Sequence, residues 1–222
     1  MEIIRYAELN AQPWRNGGGV TRELASHPHA ASPQASTAQT PGWDWRVSIA
    51  EVAKAGDFSA YPGMDRVLTV VEGELLLLSV DGAEHPLEKY RPFRFSGDAA
   101  AAGALPTGDI RDLNVITRSG AFKGYTSIIE LSKKRAHPVF EGQLGILLQG
   151  QATVSPGTAG DEPGTATGAE AAQSPAAGAS ETAAAEPITL NRYDAVVGSD
   201  TATPEILGRG FLAVVSIDRV AD

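Results

Sequence analysis

Apolar and polar residues alternate in short stretches along most of this chain, with turn residues between the stretches. The segment 45–52, with sequence WRVSIAEV, alternates strictly, and the segment 112–118, DLNVITR, does the same. A period of two places successive side chains on opposite faces of a strand, so each segment predicts a strand with one apolar face. The segment 66–71, RVLTVV, is almost entirely apolar and rich in β-branched residues, which predicts a strand buried on both faces. The pattern therefore predicts an all-β protein.

The predicted strands recur as two copies of one pattern. The matching pairs are 48–52 with 127–131, 67–73 with 144–150 and, more loosely, 93–98 with 195–200 and 112–117 with 211–216. Short strands repeated in this way are typical of a bicupin, in which two tandem jelly-roll-type β-barrels pack as one compact unit. We therefore assign residues 1–120 to a first cupin module and residues 121–222 to a second.

Two stretches of different composition interrupt these modules. Residues 25–42 are polar and rich in Ala, Ser and Pro, which predicts a variable loop. Residues 155–187 contain no Lys, no Arg and no aromatic residue. Such a segment cannot bury enough apolar surface to order itself, so we predict a flexible insertion in the second module.

Composition narrows the class of protein. The formal net charge of −9 argues against a nucleic-acid partner, because binding phosphates needs a basic face. The absence of cysteine removes disulfides and thiol nucleophiles and fits a reducing compartment. The first residues lack a signal-peptide pattern, and no apolar run reaches the ~20 residues of a membrane helix. We expect a cytoplasmic protein with no membrane partner.

An arginine occupies the position where metal-binding cupins carry a glutamate ligand. In those cupins a pair of histidines and the glutamate precede a glycine. Counting back seven residues from Gly73 reaches Arg66, and the same count from Gly150 reaches Gln143. No histidine pair precedes either position. Because a divalent metal needs three or four N/O ligands on converging strands, the sequence predicts no metal site and no cofactor.

Polar residues on the predicted strand faces take the place of a metal. Arg66 opens one strand, Arg46 lies on the polar face of a second, and Asp112 and Asn114 share a face of a third. If these faces converge inside the first barrel, two guanidinium groups meet one carboxylate, and the surplus positive charge favours an anionic ligand. With the aromatic residues that could wall such a pocket, the predicted ligand-binding residues are Trp14, Asn16, Arg46, Phe58, Tyr61, Arg66, Asp112 and Asn114. The alternative is that the four polar residues only satisfy one another as a buried network.

Three motifs in the first module resemble the signature of the HutD/Ves family. They are WRNGG at 14–18, FSAYPGMDR at 58–66 and DLNVITR at 112–118. Their combination is specific, and the resemblance covers essentially the whole chain outside the two interrupting stretches. It implies a bicupin fold and a regulatory or accessory role in bacterial histidine utilisation. It also implies a small anionic ligand such as urocanate or formyl-urocanate, which agrees with the charge argument.

Two functions of different class are open at this point. The first is a metal-independent small-molecule-binding protein with a regulatory or accessory role. The second is a metal-independent enzyme, an isomerase or hydrolase of a related small carboxylate, with Asp112 or Glu51 as general base. The sequence has no cysteine and no GxSxG motif, which favours binding over catalysis. A homodimer is an open alternative to a monomer, because exposed sheet faces of cupins often pair.

Overall fold

The computed structural model describes residues 1–29, 42–157 and 186–221, and the chain within these ranges is almost entirely β-structure. The strands are β1 (Glu2–Ile4), β2 (Gln12–Pro13), β3 (Gly19–Pro28), β4 (Trp43–Val52), β5 (Gly56–Asp57), β6 (Met64–Glu72), β7 (Leu75–Val80), β8 (Ala83–Glu88), β9 (Phe93–Ser96), β10 (Ala101–Ala104), β11 (Ile110–Arg118), β12 (Phe122–Leu131), β13 (His137–Pro138), β14 (Gln143–Pro156), β15 (Ile188–Leu190), β16 (Ala195–Val197) and β17 (Pro204–Arg219). A short 3-10 helix, Tyr6–Glu8, follows β1. The all-β prediction is confirmed. Across the described ranges, no helix has the length and apolar character needed to cross a membrane.

The first half of the chain builds a sandwich of two antiparallel sheets. Six strands form one sheet in the order β2-β3-β4-β11-β6-β9, and four form the other in the order β5-β10-β7-β8. The facing sides enclose an apolar core, to which the six-stranded sheet contributes Val70 and Phe95 and the four-stranded sheet contributes Leu76 and Leu78. Within β6 every residue from 66 to 71 is buried, as its apolar run predicts.

The second half folds around one sheet whose two longest strands bend. The order of this sheet is β1-β16-β14-β17-β12, and β13 and β15 pair with β17 and β14 respectively. The pairing of β14 with β17 shifts register between Leu147 and Gln149. Just beyond the shift, Gly150 lies opposite Gly210, and their φ angles of 101° and 114° are values that glycine adopts without strain. The bent sheet encloses a second apolar core, which includes Leu147 and Leu212.

A third apolar layer, here called the inter-module layer, lies between the two halves. The six-stranded sheet contributes Val47, Leu113 and Val115 from the side that faces away from the first core. The second half contributes Ile146 and Val215, and all five side chains are at most 1% exposed. Strand alternation therefore sends one face of each central strand towards the interior of the first sandwich and the other face into the inter-module layer.

Polar contacts and one strand also join the two halves. Strand β1 pairs with β16, and the Arg5 side chain that follows it donates to Asp194 Oδ2 at 2.6 Å. The Tyr193 hydroxyl donates to Glu72 Oε2 at 2.7 Å. The division of the chain into modules at residue 120 stays a prediction, and these contacts run across that division.

The order of strands repeats between the halves. The series β4-β11-β6-β9 in the first half corresponds to β12-β17-β14-β16 in the second. The ladders define equivalent rows of three residues, which are Arg46, Ile116 and Arg66 in the first half and Tyr125, Ser216 and Gln143 in the second. The internal repeat detected in the sequence is therefore present in the sheet topology.

Two of the four matched pairs of segments are one residue out of register. The match of 112–117 with 211–216 equates Ile116 with Val215, whereas the ladders equate Ile116 with Ser216. The match of 93–98 with 195–200 is wrong by one residue in the same way, because Arg94 corresponds to Val197. A slip of one residue turns every side chain of a strand to the opposite face. Sequence similarity does not detect such a slip here, because the second-half copies at 211–216 and 195–197 carry apolar residues on both faces.

Both interrupting stretches are shorter than the sequence predicts. Strand β3 continues to Pro28, with Ala25 opposite Val47, so residues 25–28 are strand rather than loop. Residues 30–41 of the predicted loop lie outside the described residues. Strand β14 continues to Pro156, and residues 158–185 of the predicted flexible insertion also lie outside them.

Candidate functional site

A cavity of about 460 Å³ lies in the first sandwich against strands β4, β6 and β11. Alternate residues of these strands form one side of it, and they are Arg46, Ser48, Ala50, Arg66, Asn114 and Ile116. The segments 12–16 and 57–61 supply most of the remaining wall. This volume lies within the ~300–1,000 Å³ typical of small-molecule sites.

The ladder register brings two arginines to one level of this cavity. Ile116 on β11 lies opposite Arg46 on β4 and opposite Arg66 on β6. Asn114, two residues along β11 and on the same face, lies opposite Ser48. Because neighbouring strands lie about 4.8 Å apart, the two arginine backbones are roughly 10 Å apart. Two guanidinium groups therefore enter one cavity from one sheet face.

Arg66 is a buried cation with little compensation. Its side chain is 3% exposed, and its Nη2 donates to Asn114 Oδ1 at 2.9 Å while Nη1 donates to the Ser59 carbonyl at 3.2 Å. Its Nε is buried and has no hydrogen-bond partner. The guanidinium carbon lies 4.8 Å from the ring centroid of Phe95 and 5.7 Å from that of Phe58. Burial lowers the pKa of Arg66, but arginine stays protonated in proteins, so the site holds a desolvated positive charge.

Arg46 lies among aromatic side chains. Its Nη2 donates to the Tyr61 hydroxyl at 2.8 Å, and its guanidinium carbon lies 4.8 Å from the Trp43 ring centroid. Its Nε is buried without a hydrogen-bond partner. Among the ion pairs formed by the described residues, none involves Arg46 or Arg66. Both cations therefore retain unused N–H donors and no neutralising contact.

Asp112 lies behind the cavity wall and not on it. Its side chain is fully buried, and its Oδ1 accepts a hydrogen bond from Asn114 Nδ2. Its Oδ2 is buried and has no hydrogen-bond partner. Asn114 thus connects Asp112 on one side with Arg66 on the other. Burial raises the pKa of Asp112 to about 7, against the opposing effects of the Arg66 charge and the Asn114 hydrogen bond.

Aromatic side chains supply part of the remaining wall, and short-range hydrogen bonds hold the segment around Trp14 in place. The indole Nε1 of Trp14 donates to Thr21 Oγ1 at 2.8 Å. The Trp14 and Phe58 rings meet edge to face, with their centroids 5.9 Å apart. Asn16 Oδ1 accepts from the Gly18 amide at 2.9 Å, which fixes the turn that carries Trp14. Flat apolar surfaces therefore line the cavity together with the two arginines.

The structure brings together most of the residues predicted from the sequence. Seven of the eight predicted ligand-binding residues line the cavity, and they are Trp14, Asn16, Arg46, Phe58, Tyr61, Arg66 and Asn114. Asp112, predicted as a direct ligand contact, does not line it. Their role in binding a ligand stays a prediction.

Neither carboxylate predicted as a general base reaches the cavity. Asp112 is separated from it by Asn114. Glu51 lies on the opposite face of β4, where it accepts hydrogen bonds from Arg22 and from Arg111 Nη2. Burial acts to raise the pKa of Glu51, but the charges of Arg111 and Arg22 outweigh it and lower the pKa. The structure therefore brings neither of the two predicted bases to the cavity.

Sequence reasoning missed several lining residues. Ser48 and Ile116 share strand faces with Arg46 and Asn114, so strict alternation was a signal that could have found them. The others are Gln12, Pro13, Arg15, Thr21, Ala50, Asp57 and Ser59. Most of these lie on short strands or loops whose position depends on the tertiary fold, and their local sequence carries no signal.

The polar pair Asp112 and Asn114 has no polar counterpart at the equivalent positions of the second half. At the positions equivalent to Asp112 and Asn114, the second half has Leu212 and Val214, which belong to its apolar core. No group of three or more His, Cys, Asp or Glu side chains in the described ranges could hold a metal ion. The polar groups at the cavity are mainly amide, hydroxyl and guanidinium groups, which do not fit a divalent metal.

Comparisons with known proteins identify both family and fold. A family model described as HutD matches residues 6–214. Protein Ves of Citrobacter koseri is 36% identical over 132 residues, which cover 59% of this chain and 64% of that relative's length. The structure of HutD from Pseudomonas fluorescens SBW25 is similar with a TM-score of 0.67, at 24% identity over 99% of both chains. A cupin 2 conserved barrel domain protein from Leptotrichia buccalis has a TM-score of 0.52 at 7% identity, over 99% of this chain and 96% of that one. The predicted bicupin fold is confirmed, although its strands form three open sheets and not two closed barrels.

Proposed function

The chain belongs to the HutD family, and from this premise we propose that it is a small-molecule-binding protein whose first-half cavity takes up a small carboxylate without a metal. One observation carries the proposal. Arg46 and Arg66 line the same cavity, and neither forms an ion pair with a described carboxylate. The role that we propose is regulatory or accessory, in histidine utilisation.

The charge balance of the cavity supports an anionic ligand. Two guanidinium groups from the sheet and that of the exposed Arg15 line the cavity, and they are opposed by the carboxylate of Asp112, which bonds to Asn114, and by Asp57 on the loop side. Asp57 is exposed, so solvent screens its charge, whereas Arg66 is almost fully buried. A carboxylate offers two acceptor oxygens to the planar donor fork of an arginine, and a desolvated site strengthens that contact.

The shape of the cavity supports a flat ligand. The rings of Trp14, Phe58 and Tyr61 line it together with the aliphatic side chain of Ile116. Urocanate and formyl-urocanate, the ligands that membership of this family suggests, are conjugated carboxylates. In the proposed complex the carboxylate meets the arginines while the conjugated part lies among the rings.

Calorimetry with urocanate tests the proposal. We expect the native protein to bind urocanate, and replacement of Arg66 by Met to weaken binding by roughly 2–5 kcal/mol, because a desolvated ion pair is lost. The Arg91→Met variant is the matched control, since Arg91 is exposed and does not line the cavity. It should bind like the native protein. Absence of binding by the native protein at millimolar urocanate and formyl-urocanate would exclude this ligand class.

A further inference from the structure

One buried carboxylate is connected to the cavity through a single side chain. Asp112 is fully buried, and Asn114 is its hydrogen-bond partner through Oδ1. Asn114 in turn accepts from Arg66, which lines the cavity. The second oxygen of Asp112, Oδ2, has no hydrogen-bond partner. A buried ionised carboxylate with an unused oxygen is costly, whereas a protonated carboxyl group carries no net charge to desolvate.

We propose that Asp112 is a positioning residue that takes up a proton when a carboxylate binds in the cavity, an inference that rests on the proposed function. The proton comes from solvent and bonds to an oxygen of Asp112, so the carboxylate becomes a neutral carboxyl group. Asn114 can keep its donation to Oδ1, and Arg66 is released from compensating Asp112. The positive charge of Arg66 is then compensated by the ligand carboxylate alone.

The direction of this coupling follows from electrostatics. In the empty cavity the positive charge of Arg66 is the main favourable charge acting on ionised Asp112. A bound carboxylate pairs with Arg66 and adds a second negative charge close to Asp112. Two like charges in a buried site disfavour ionisation of both. Because burial already places the pKa of Asp112 at about 7, a further rise changes its protonation near neutral pH.

None of the groups that line the cavity is a second buried carboxylate that could take up this proton. The charged and titratable groups that line it are Arg15, Arg46, Asp57, Tyr61 and Arg66. Strands β7 and β10 present apolar residues such as Leu76, Leu78 and Ala101 to the same core. Among the lining groups Asp57 is the one carboxylate, and it is exposed to solvent.

Calorimetry with trans-cinnamate tests the coupling. Cinnamate has the acrylate of urocanate but a phenyl ring, so the ligand itself does not titrate near neutral pH. Titrations at pH 8 in two buffers of different ionisation enthalpy give the number of protons taken up. We expect the native protein to take up close to one proton per ligand. We also expect it to bind about tenfold more weakly at pH 8 than at pH 6. The reason is that the fraction of ligand-free protein in which Asp112 is protonated falls by about that factor.

Two variants locate the proton. Asp112→Asn should bind cinnamate without proton uptake and with an affinity that does not change between pH 6 and pH 8. Asp44→Asn is the matched control, because Asp44 is 7% exposed, accepts from Arg118 Nε at 2.7 Å and does not line the cavity. It should keep the uptake and the pH dependence of the native protein.

The outcomes separate this inference from the proposed function. Binding by the native protein with no proton uptake and an affinity that does not change with pH overturns the inference. This outcome is measured on the native protein alone. Equal uptake by native protein and Asp112→Asn overturns it as well, and both results leave carboxylate binding intact. If the native protein binds neither urocanate nor cinnamate between pH 6 and pH 8, the inference fails together with the proposed function.

Discussion

Asp112 makes the stability of the folded protein depend on pH, whether or not a ligand binds. Its pKa of about 7 in the folded state is raised above the ~3.9 of an unfolded chain. The folded state therefore holds the extra proton between these values. Its stabilising contribution is fully present below about pH 4 and is lost as pH rises through 7. The unfolding free energy should fall by up to about 1.4 kcal/mol per pH unit in this window.

Replacing Asp112 by Asn should remove this fall in the unfolding free energy with rising pH. Because the amide cannot ionise, the variant should gain on the order of 3 kcal/mol relative to the native protein between pH 5 and pH 8. Urea denaturation of both proteins at several pH values measures the difference. A difference that stays constant over this range would show that Asp112 does not titrate there.

The Asp44→Asn variant is a control for which the expected change in folding stability has the opposite sign. Burial acts to raise the pKa of Asp44, but its hydrogen bonds with Arg118 and His29 outweigh this and lower it. The stability that this carboxylate contributes is present above its unfolded pKa and is lost only as pH falls through its folded pKa. Between pH 5 and pH 8 the variant should therefore be less stable than the native protein, whereas Asp112→Asn should be more stable.

The position of Arg66 could be predicted from the sequence, but the depth of Asp112 could not. Counting from Gly73 placed an arginine at a cupin ligand position, and that side chain does line the cavity. Alternation correctly put Asp112 and Asn114 on one face of β11. The alternation contains no information on how far the four-stranded sheet covers that face. The tertiary fold therefore decides that Asn114 meets the cavity and Asp112 lies behind it.

At the level of secondary-structure elements, the bend of β14 and β17 depends on a pair of facing glycines. A β-carbon on Gly210 would lie 1.9 Å from the Gln149 carbonyl oxygen, a backbone atom that cannot move without disrupting the ladder. Gly142 also has a positive φ, 76°, but its nearest contact would be 3.5 Å away. Both positions thus have a positive φ, and they differ in the steric clash.

Alanine substitutions at Gly142 and Gly210 should show how much the steric clash adds to the energetic cost of a positive φ. Gly142→Ala should lower the free energy of unfolding by about 1–2 kcal/mol, the cost of a left-handed backbone for a residue with a β-carbon. Gly210→Ala should cost several kcal/mol more, because the bend that closes the second core cannot form without a shift of β14. Urea denaturation measures both. Similar losses for the two variants would mean that the bend tolerates a β-carbon.

Most of the strands could be predicted from the sequence, whereas their register and some of their ends could not. The period of two identified β4 and β11, and the apolar run identified β6. Strand β3 runs into the Ala- and Ser-rich stretch because pairing with β4 outweighs the weak local preference of those residues. The register slips arose because the second-half copies have two apolar faces, so each matches its alternating first-half counterpart almost equally well in either register.

At the level of the whole molecule, the inter-module layer should make the two halves unfold together. Fifteen buried residues form one apolar cluster that draws side chains from both halves. The pairing of β1 with β16 and the Tyr193–Glu72 hydrogen bond add contacts across the same boundary. If the halves were independent, each would expose its side of this layer to water when the other unfolded, at a cost of ~25 cal/mol per Å².

The tryptophans allow this cooperativity to be measured. All three, Trp14, Trp43 and Trp45, lie in the first half, and Trp45 packs against the inter-module layer, so their fluorescence reports on that half and on its contact with the second. Leu212 lies in the core of the second half and is fully buried. Leu212→Ala should lower the free energy of unfolding by about 2–5 kcal/mol through the cavity that it leaves. If the molecule unfolds as one unit, the fluorescence transition of the distant first half should shift by the same amount as the circular dichroism transition.

A variant on the same strand controls for surface effects. Leu207 lies on β17 and is 38% exposed, so Leu207→Ala should change the free energy of unfolding by no more than about 0.5 kcal/mol. A fluorescence transition that stays in place in Leu212→Ala while circular dichroism reports early unfolding would show that the halves are independent. In that case the boundary predicted at residue 120 would also separate two folding units. Coincident transitions would instead mean that a destabilising change in the second-half core also lowers the population of the folded cavity in the first half.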